Sequence, residues 1–191
     1  MKRTYDYIVL GCGGIGSGAA YWLARRAGAE VLGLEQFKLG HHNGGSQDHS
    51  RIIRLTYHHE NYTKLTLHTY TAWETVEEES AVNIVTNTGS VEFAEIGSPY
   101  HVDLEKYASA MDAANIPYER FGNDELRARF PQFKFDKEMD VLWQGKSGIA
   151  DAAKGNAAHV ATARLHGATI LDECKVQEIR PFSGGVDVIT N

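Results

Sequence analysis

Near the amino terminus, one run of residues has the types and spacing that phosphate chemistry demands. Gly11-Cys12-Gly13-Gly14-Ile15-Gly16 follows the pattern G-x-G-x-x-G. In such a turn Gly11 bends the chain, Gly13 lets a diphosphate approach the backbone, and Gly16 lets a helix pack close to a strand. The unpaired N–H groups at the start of the next helix, with the positive end of its dipole, suit an anion. Farther along, Glu35 offers a carboxylate to the ribose hydroxyls of an adenosine and would repel a 2′-phosphate, which disfavours NADP. The chemistry indicated is dinucleotide binding. The competing reading is a glycine-rich turn in an α/β domain that holds no ligand. Cys12, between two glycines and with no group beside it to lower its pKa, reads as a small buried residue and not as a nucleophile.

A second group follows Glu35. A polar, glycine-bearing loop from Gln36 to Ser50 delivers Arg51 and Arg54, three apart and on one face if that stretch is helical. Such a segment is built to approach an anionic or planar ligand, and a nicotinamide enzyme has no particular use for it. His41, His42, His49, His58 and His59 fall close together, yet no pair forms H-E-x-x-H and no cysteine spacing suggests zinc, so no metal site is expected. His49 is a candidate for the rim of an active site.

These residues need elements to position them. Tyr7-Ile8-Val9-Leu10 reads as a buried parallel strand. Ile15, Ala19, Ala20 and Leu23 recur at helical spacing, Gly28 closes that helix, and Val31-Leu32-Gly33-Leu34 is a second strand leading into Glu35. The order strand, glycine turn, helix, strand, acid is a βαβ unit. Tyr62, Leu65, Thr69, Trp73 and Val76 predict an amphipathic helix whose apolar stripe is core, ending at Glu77-Glu78-Glu79. Residues 84–86 and 90–94 read as strands with Gly89 as the turn. Leu104, Tyr107, Ala108 and Met111 mark another helix. Asn123 is placed to cap the next, which Pro131 stops. From Asp151 to His166 an alanine-rich helix carries Ala157, Val160, Ala161 and Leu165 on one face, with Gly167 as its cap. Residues 168–171 and 175–179 are strand candidates, and 184–189 reads as a hairpin arm without its partner.

Composition bounds the function. At 191 residues, 42% hydrophobic and 23% charged, the chain can bury a core and is neither disordered nor fibrous. A formal charge of -6 argues against a nucleic-acid partner, which favours a basic face. Two cysteines cannot form a disulfide framework and suit a reducing compartment. Lys2 and Arg3 ahead of the apolar stretch from Ile8 to Ala24 mimic a signal peptide, but Asp6 and the glycines break it. No run approaches the roughly 20 apolar residues that a membrane span needs. The expectation is a cytoplasmic protein with no membrane segment.

The stretch Gly44-Gly45-Ser46…Ser50-Arg51-Ile52-Ile53-Arg54 resembles the second flavin motif of the monomeric sarcosine oxidase and N-methyltryptophan oxidase family, within the D-amino-acid-oxidase-like FAD enzymes. The likeness continues in order through Thr88-Gly89-Ser90-Val91, Glu125-Leu126…Arg129-Phe130-Pro131, Ser147-Gly148-Ile149, Gly167-Ala168 and Val176. It implies an α/β fold: a Rossmann-like FAD-binding βαβ domain and the start of a second, α+β substrate domain. The domains would fall at 1–82 for the first part of the FAD domain, 83–145 for a partial substrate domain, and 146–191 for the return to the FAD domain.

By position, the resemblance implies that Gly11, Gly13, Gly14, Ile15 and Gly16 hold the FAD pyrophosphate, with Glu35 and Gln36 at the adenosine ribose. His41 would belong to the flavin loop; Gly45, Ser46, Arg51 and Ile52 would line the ribityl chain and flavin ring, and Val176 would meet the adenine. Arg51 would place a cation beside the ring and Arg54 would bind the substrate carboxylate, so these two are the catalytic candidates. The implied activity is oxidation of the C–N bond of an N-alkylated amino acid to an imine, with oxygen as acceptor. The implied partner is a small carboxylated amine.

Gln47 and Asp48 depart from the histidine and glycine that family members often carry, which bears on substrate identity. The chain also stops short of the family's usual length, so a fragment, or one piece completed by a downstream polypeptide, is expected. A flavin-tethering cysteine and an oxygen-activating lysine would lie in the remainder; Cys12 and Cys174 match neither role. An NAD-dependent dehydrogenase, or a truncated non-catalytic chain needing a partner, are the alternatives.

Overall fold

A computed structural model describes residues 4–191; Lys2 and Arg3 lie outside them. In chain order the elements are β1 (Tyr7–Leu10), α1 (Gly14–Ala27), β2 (Val31–Leu34), β3 (Arg51–Ile53), α2 (Glu60–Ser80), β4 (Val85–Asn87), β5 (Ser90–Glu95), α3 (His101–Ala113), β6 (Glu119–Phe121), α4 (Asn123–Arg129), β7 (Met139–Gln144), β8 (Gly148–Ala150), α5 (Ala152–Leu165), β9 (Thr169–Leu171), β10 (Val176–Phe182) and β11 (Gly185–Thr190). They form two compact units. The first takes residues 1–51, 75–84 and 151–191, and the second takes 52–74 and 85–150.

The first unit contains a parallel three-stranded sheet in the order β1-β2-β9. β2 is central and every residue of it is buried, as a strand covered on both faces requires. α1 and α5 pack on each other through small residues, Ser17, Ala20 and Ala24 from one and Gly155, Ala158 and Ala163 from the other. At this seam His159 is 8% exposed, stacks on Tyr21 at 5.5 Å, and is held down to a pKa of about 4 by burial. Because the folded pKa lies below the unfolded value, His159 favours unfolding as pH falls from about 6.5 to about 4, by about 3 kcal/mol. His159→Gln is therefore expected to flatten the loss of stability across that window, read as the urea midpoint at successive pH values. An unchanged profile would remove His159 as the cause.

Several sequence readings need correction in this unit. The α5 face carrying Ala157, Val160, Ala161 and Leu165 is only partly buried: Val160 is 6% exposed but Leu165 is 79% exposed, and the other buried residues lie one position round, at Ala158, His159, Thr162 and Ala163. The 184–189 arm has its partner, since β11 pairs antiparallel with β10 from Val176↔Thr190 to Phe182↔Gly185. α1 does run from the glycine turn to Gly28, at φ 55, but Ile15 is 92% exposed at its start.

The second unit holds the antiparallel sheet β5-β7-β6 and most of the sheet β3-β8-β4, in which β4 and β8 pair antiparallel. One face of β5-β7 contributes Ala94 and Leu142 to a core with Ile53, Leu55, Tyr70, Leu104 and Met111. The opposite face contributes Val141 and, partly buried, Phe93 to a second core around Leu126. On β7, Asp140 is buried and bound by Arg120 and by His101 at 2.8 Å; burial acts to raise its pKa, but hydrogen bonds from these two partners hold it below its ordinary value.

Here too the structure differs from the sequence reading. Gly89 (φ 70) does not close a hairpin, because β4 pairs with β8 and β5 with β7; the Thr88 and Gly89 N–H groups both donate to Ser147 O. A helix spans the 62–76 stripe and Val76 is buried at 1%, yet Tyr62 and Leu65 are 63% and 64% exposed and the first part of the buried seam runs through Thr63 and Tyr70. Gly122, not Asn123, is the N-cap of α4; the Asn123 amide instead ties to Lys137 O and Met139 N. Arg51 to Ile53 is a strand, so Arg51 and Arg54 do not share a helical face.

Candidate functional site

The glycine turn is assembled by backbone geometry that other residues would not permit. Gly11 follows β1 at φ 87, a region that favours glycine, and its N–H donates to Leu34 O at 2.7 Å, which locks the turn onto β2. A Cβ at Gly16 would stand 1.8 Å from Gly11 O, so helix and turn touch directly. Over Gly13 the space is open, the nearest atom to an added Cβ being Ser46 Oγ at 4.0 Å. α1 has no acid in its first turn and Arg25 and Arg26 in its last, leaving the positive dipole end to act on a ligand. The Gly14 N–H already points at an oxygen, Ser46 Oγ at 2.7 Å.

Glu35 is the organising acid. It is 5% exposed and accepts hydrogen bonds from the N–H of Cys12 at 2.8 Å and of Phe37 at 3.0 Å, with His41 Nε2 at 3.4 Å from Oε1. Burial works to raise its pKa, but those N–H donors and His41 hold the carboxyl below its ordinary value. Folding thus gains from its charge above the unfolded pKa, and that gain is lost as pH falls through the lower folded value. Burial first, and Glu35 second, push the Cys12 thiol up to about 11, which rules out a resting thiolate nucleophile.

Two cavities, both within the first unit, share Glu35. The smaller, about 270 Å³, is lined by Gly11, Glu35, Gln36, Lys175 and Val176. The larger, about 540 Å³, within the range of small-ligand pockets, lies between the 39–49 loop and α5. Gly13, His41, Gly45 and Ser46 line one side of it, and Asn156, Val160 and Arg164 the other. The displaced α5 face now has an explanation: Ala157 and Ala161 stay uncovered because they are cavity wall.

The loop is held in place at several points. Arg51 donates to Gly45 O at 2.8 Å, His42 contacts Gln47 at 2.8 Å, and Asp48 O accepts from Ala153 N at 3.0 Å. His49 meets both oxygens of Asp151, the N-cap of α5, at 3.1 Å. Asn156 donates to Cys12 O at 2.8 Å and to Ser17 Oγ at 3.0 Å, and Arg164 donates to Ile170 O at 2.9 Å. Sequence reasoning did not single out Asn156 or Arg164; a polar side chain inside an alanine-rich helix was the one available signal.

Ile52 and Arg54 belong to the second unit. Ile52 is 74% exposed. Arg54 pairs with Glu92 at 3.2 Å and lies over the rings of Tyr57 and Tyr107 at 5.3 and 6.0 Å. None of the five clustered histidines joins the one His-and-carboxylate group close enough for a metal among the described residues, His101, Glu105 and Asp140, whose two acids are bound by Arg120.

The sequence profile described as "FAD dependent oxidoreductase" matches residues 6–191. The chain is similar to the monomeric sarcosine oxidase of Streptomyces avermitilis, at 34% identity over all of this chain and 49% of that protein. It is similar to the human peroxisomal sarcosine oxidase at 30% identity, over 95% of this chain and 45% of that one. Among solved structures it matches NikD, described as an unusual amino acid oxidase essential for nikkomycin biosynthesis, with a TM-score of 0.84 and 28% identity over 100% of this chain and 48% of that one. The chain therefore spans about half the length of the relatives it matches.

Proposed function

The chain belongs to the FAD dependent oxidoreductase family, and from that premise we propose that it is the FAD-holding part of an oxidase. The reaction is oxidation of the C–N bond of an N-alkylated amino acid, a sarcosine-like secondary or tertiary amine, to an imine. Dioxygen is the acceptor and hydrogen peroxide the second product. Because the chain spans about half of its relatives, further polypeptide, in the same chain or as a partner, would supply the rest. Residues 1–82 and 146–191 are read as FAD domain and 83–145 as substrate domain.

The observation that carries this reading is the open cradle over Gly13 beside a carboxylate already ordered at Glu35. The residues present fit FAD. Gly11, Gly13, Gly14, Ile15 and Gly16 would take the diphosphate at the dipole end of α1, where Gly14 N–H has an oxygen acceptor in Ser46. Glu35 and Gln36 would take the ribose and Val176 the adenine, all three lining the smaller cavity. His41, Gly45, Ser46, Arg51 and Ile52 would serve the flavin half. Bound FAD supplies a two-electron acceptor. Arg51 contributes positive charge near it, while Arg54 fixes the substrate carboxylate and so orients the amine, which must be neutral to be oxidised.

The test is anaerobic addition of N-methylglycine and larger N-methyl amino acids to the purified flavoprotein. Bleaching of the visible flavin band, and peroxide release on admitting air, are expected. A protein that retains NAD but not FAD, or one whose flavin stays oxidised with every N-alkyl amino acid, would contradict the reading.

A further inference from the structure

We propose that Glu92 determines substrate specificity by occupying Arg54 as an internal carboxylate, leaving room for one substrate carboxylate and excluding substrates that carry a second anionic group. The inference deepens the reading of Arg54 as the carboxylate anchor and rests on it.

Glu92 stands at the border of an apolar patch. Along β5 alternate side chains share a face, and the face that carries Glu92 also carries Ala94, a member of the apolar core with Leu104, Met111 and Leu142, while the other acid of that face, the buried Asp140 opposite Ala94, is already held by Arg120 and His101. Its register partner across the sheet is Leu142, which is 1% exposed. An acid on such a face needs a partner, and Arg54 provides it: Arg54 Nη1 to Glu92 Oε1 is 3.2 Å, with the two side chains 28% and 24% exposed. Arg54 is set by its own neighbours, since Ile53 and Leu55 on either side are core residues.

The contact is single-armed. A guanidinium has five N–H donors, and the Glu92 contact is not the bidentate fork that would consume its recognition edge. Tyr57 and Tyr107 lie against the guanidinium, and the Tyr107 hydroxyl also takes a hydrogen bond from it, so both limit its movement while some of its five donors stay uncommitted. A monocarboxylate can therefore bind the remaining donors. A dicarboxylate would bring its second charge towards Glu92 in a partly desolvated place, where like charges repel strongly. Glu92 also makes Arg54 less attractive to any anion, so its removal strengthens binding of monocarboxylates and strengthens that of dicarboxylates more.

The experiment measures binding of butyrate and succinate, matched in carbon number, to the flavin-loaded protein by calorimetry. In the unaltered protein succinate is expected to bind at least about tenfold more weakly than butyrate. Glu92→Gln is expected to tighten butyrate about threefold and to close most of the gap to succinate. Glu92→Asp, which withdraws the carboxylate by one methylene, shrinks the gap about threefold and serves if Glu92→Gln does not fold. A purely structural ion pair would lower the melting temperature and leave the ratio of the two affinities unchanged; that result would overturn the proposal. Arg54→Ala run in parallel separates the two layers. Butyrate affinity unaffected by Arg54→Ala, or absent from the unaltered protein, removes the anchor and this inference with it. Loss of butyrate in Arg54→Ala with an unchanged ratio in the Glu92 variants removes the role of Glu92 alone.

Discussion

Gly16→Ala is expected to abolish FAD retention and to lower the unfolding free energy by about 3 kcal/mol. The added methyl would fall 1.8 Å from the backbone oxygen of Gly11 and 3.5 Å from Val9 Cγ1, so α1 would have to move away from β1. A backbone atom is the obstacle, which leaves no side chain to swing aside. Gly13→Ala makes the informative contrast. There the nearest atom is 4.0 Å away and φ is -70, so alanine fits the protein itself and should cost about 1 kcal/mol or less as an N-cap. Its methyl would nevertheless stand where a diphosphate must approach, and FAD affinity should fall at least about 100-fold. Thermal unfolding without cofactor and FAD titration separate the two effects. Gly13→Ala with unaltered FAD affinity would place the diphosphate elsewhere.

Arg54→Ala should raise KM for carboxylated amines about 100-fold, the scale of a lost charge-assisted pair, while flavin content stays at the level of the unaltered protein. The variant also leaves Glu92 partly buried without its cation, so a small drop in melting temperature accompanies the kinetic effect. Steady-state kinetics on N-methyl amino acids beside their uncharged amide analogues read this directly. If KM rises equally for the amides, the guanidinium is not recognising a carboxylate.

The βαβ unit was legible because three independent signals coincide there. Two short apolar runs flank the glycine pattern, and an acid follows the second run, each with its own physical reason. Where only residue type was available, reading failed. Tyr62 and Leu65 have helical spacing, but apolar character does not specify which side of a helix finds a partner: of the expected stripe Val76 is buried, while at the start of the helix Thr63 and Tyr70 are buried instead. Gly89 has the turn conformation, yet how the strands on either side of it pair depends on β7 and β8, far downstream at Met139–Gln144 and Gly148–Ala150. Asn123 has capping chemistry and spends it on Lys137 and Met139. In α5 the face carrying Ala157, Val160 and Ala161 is cavity wall, which its residue types alone could not show, because a cavity wall and a core face have the same composition. The pairing of Arg54 with Glu92 joins residues 38 apart, and nothing local in either segment announces it.

On the proposed placement of FAD, the wall that α5 provides would also dictate when the coenzyme is captured. Asn156 reaches back to Cys12 across 144 positions, so one side of the larger cavity is synthesised long after the other. A nascent chain that has released only β1, α1 and β2 from the ribosome owns the glycine turn but not the chamber. Closing so long a loop must be driven by the α1–α5 seam, before any ligand contributes. With FAD seated there as proposed, loading would be a checkpoint on completed folding, and thereafter a clamp across that long loop, holding early and late segments together by the free energy of binding.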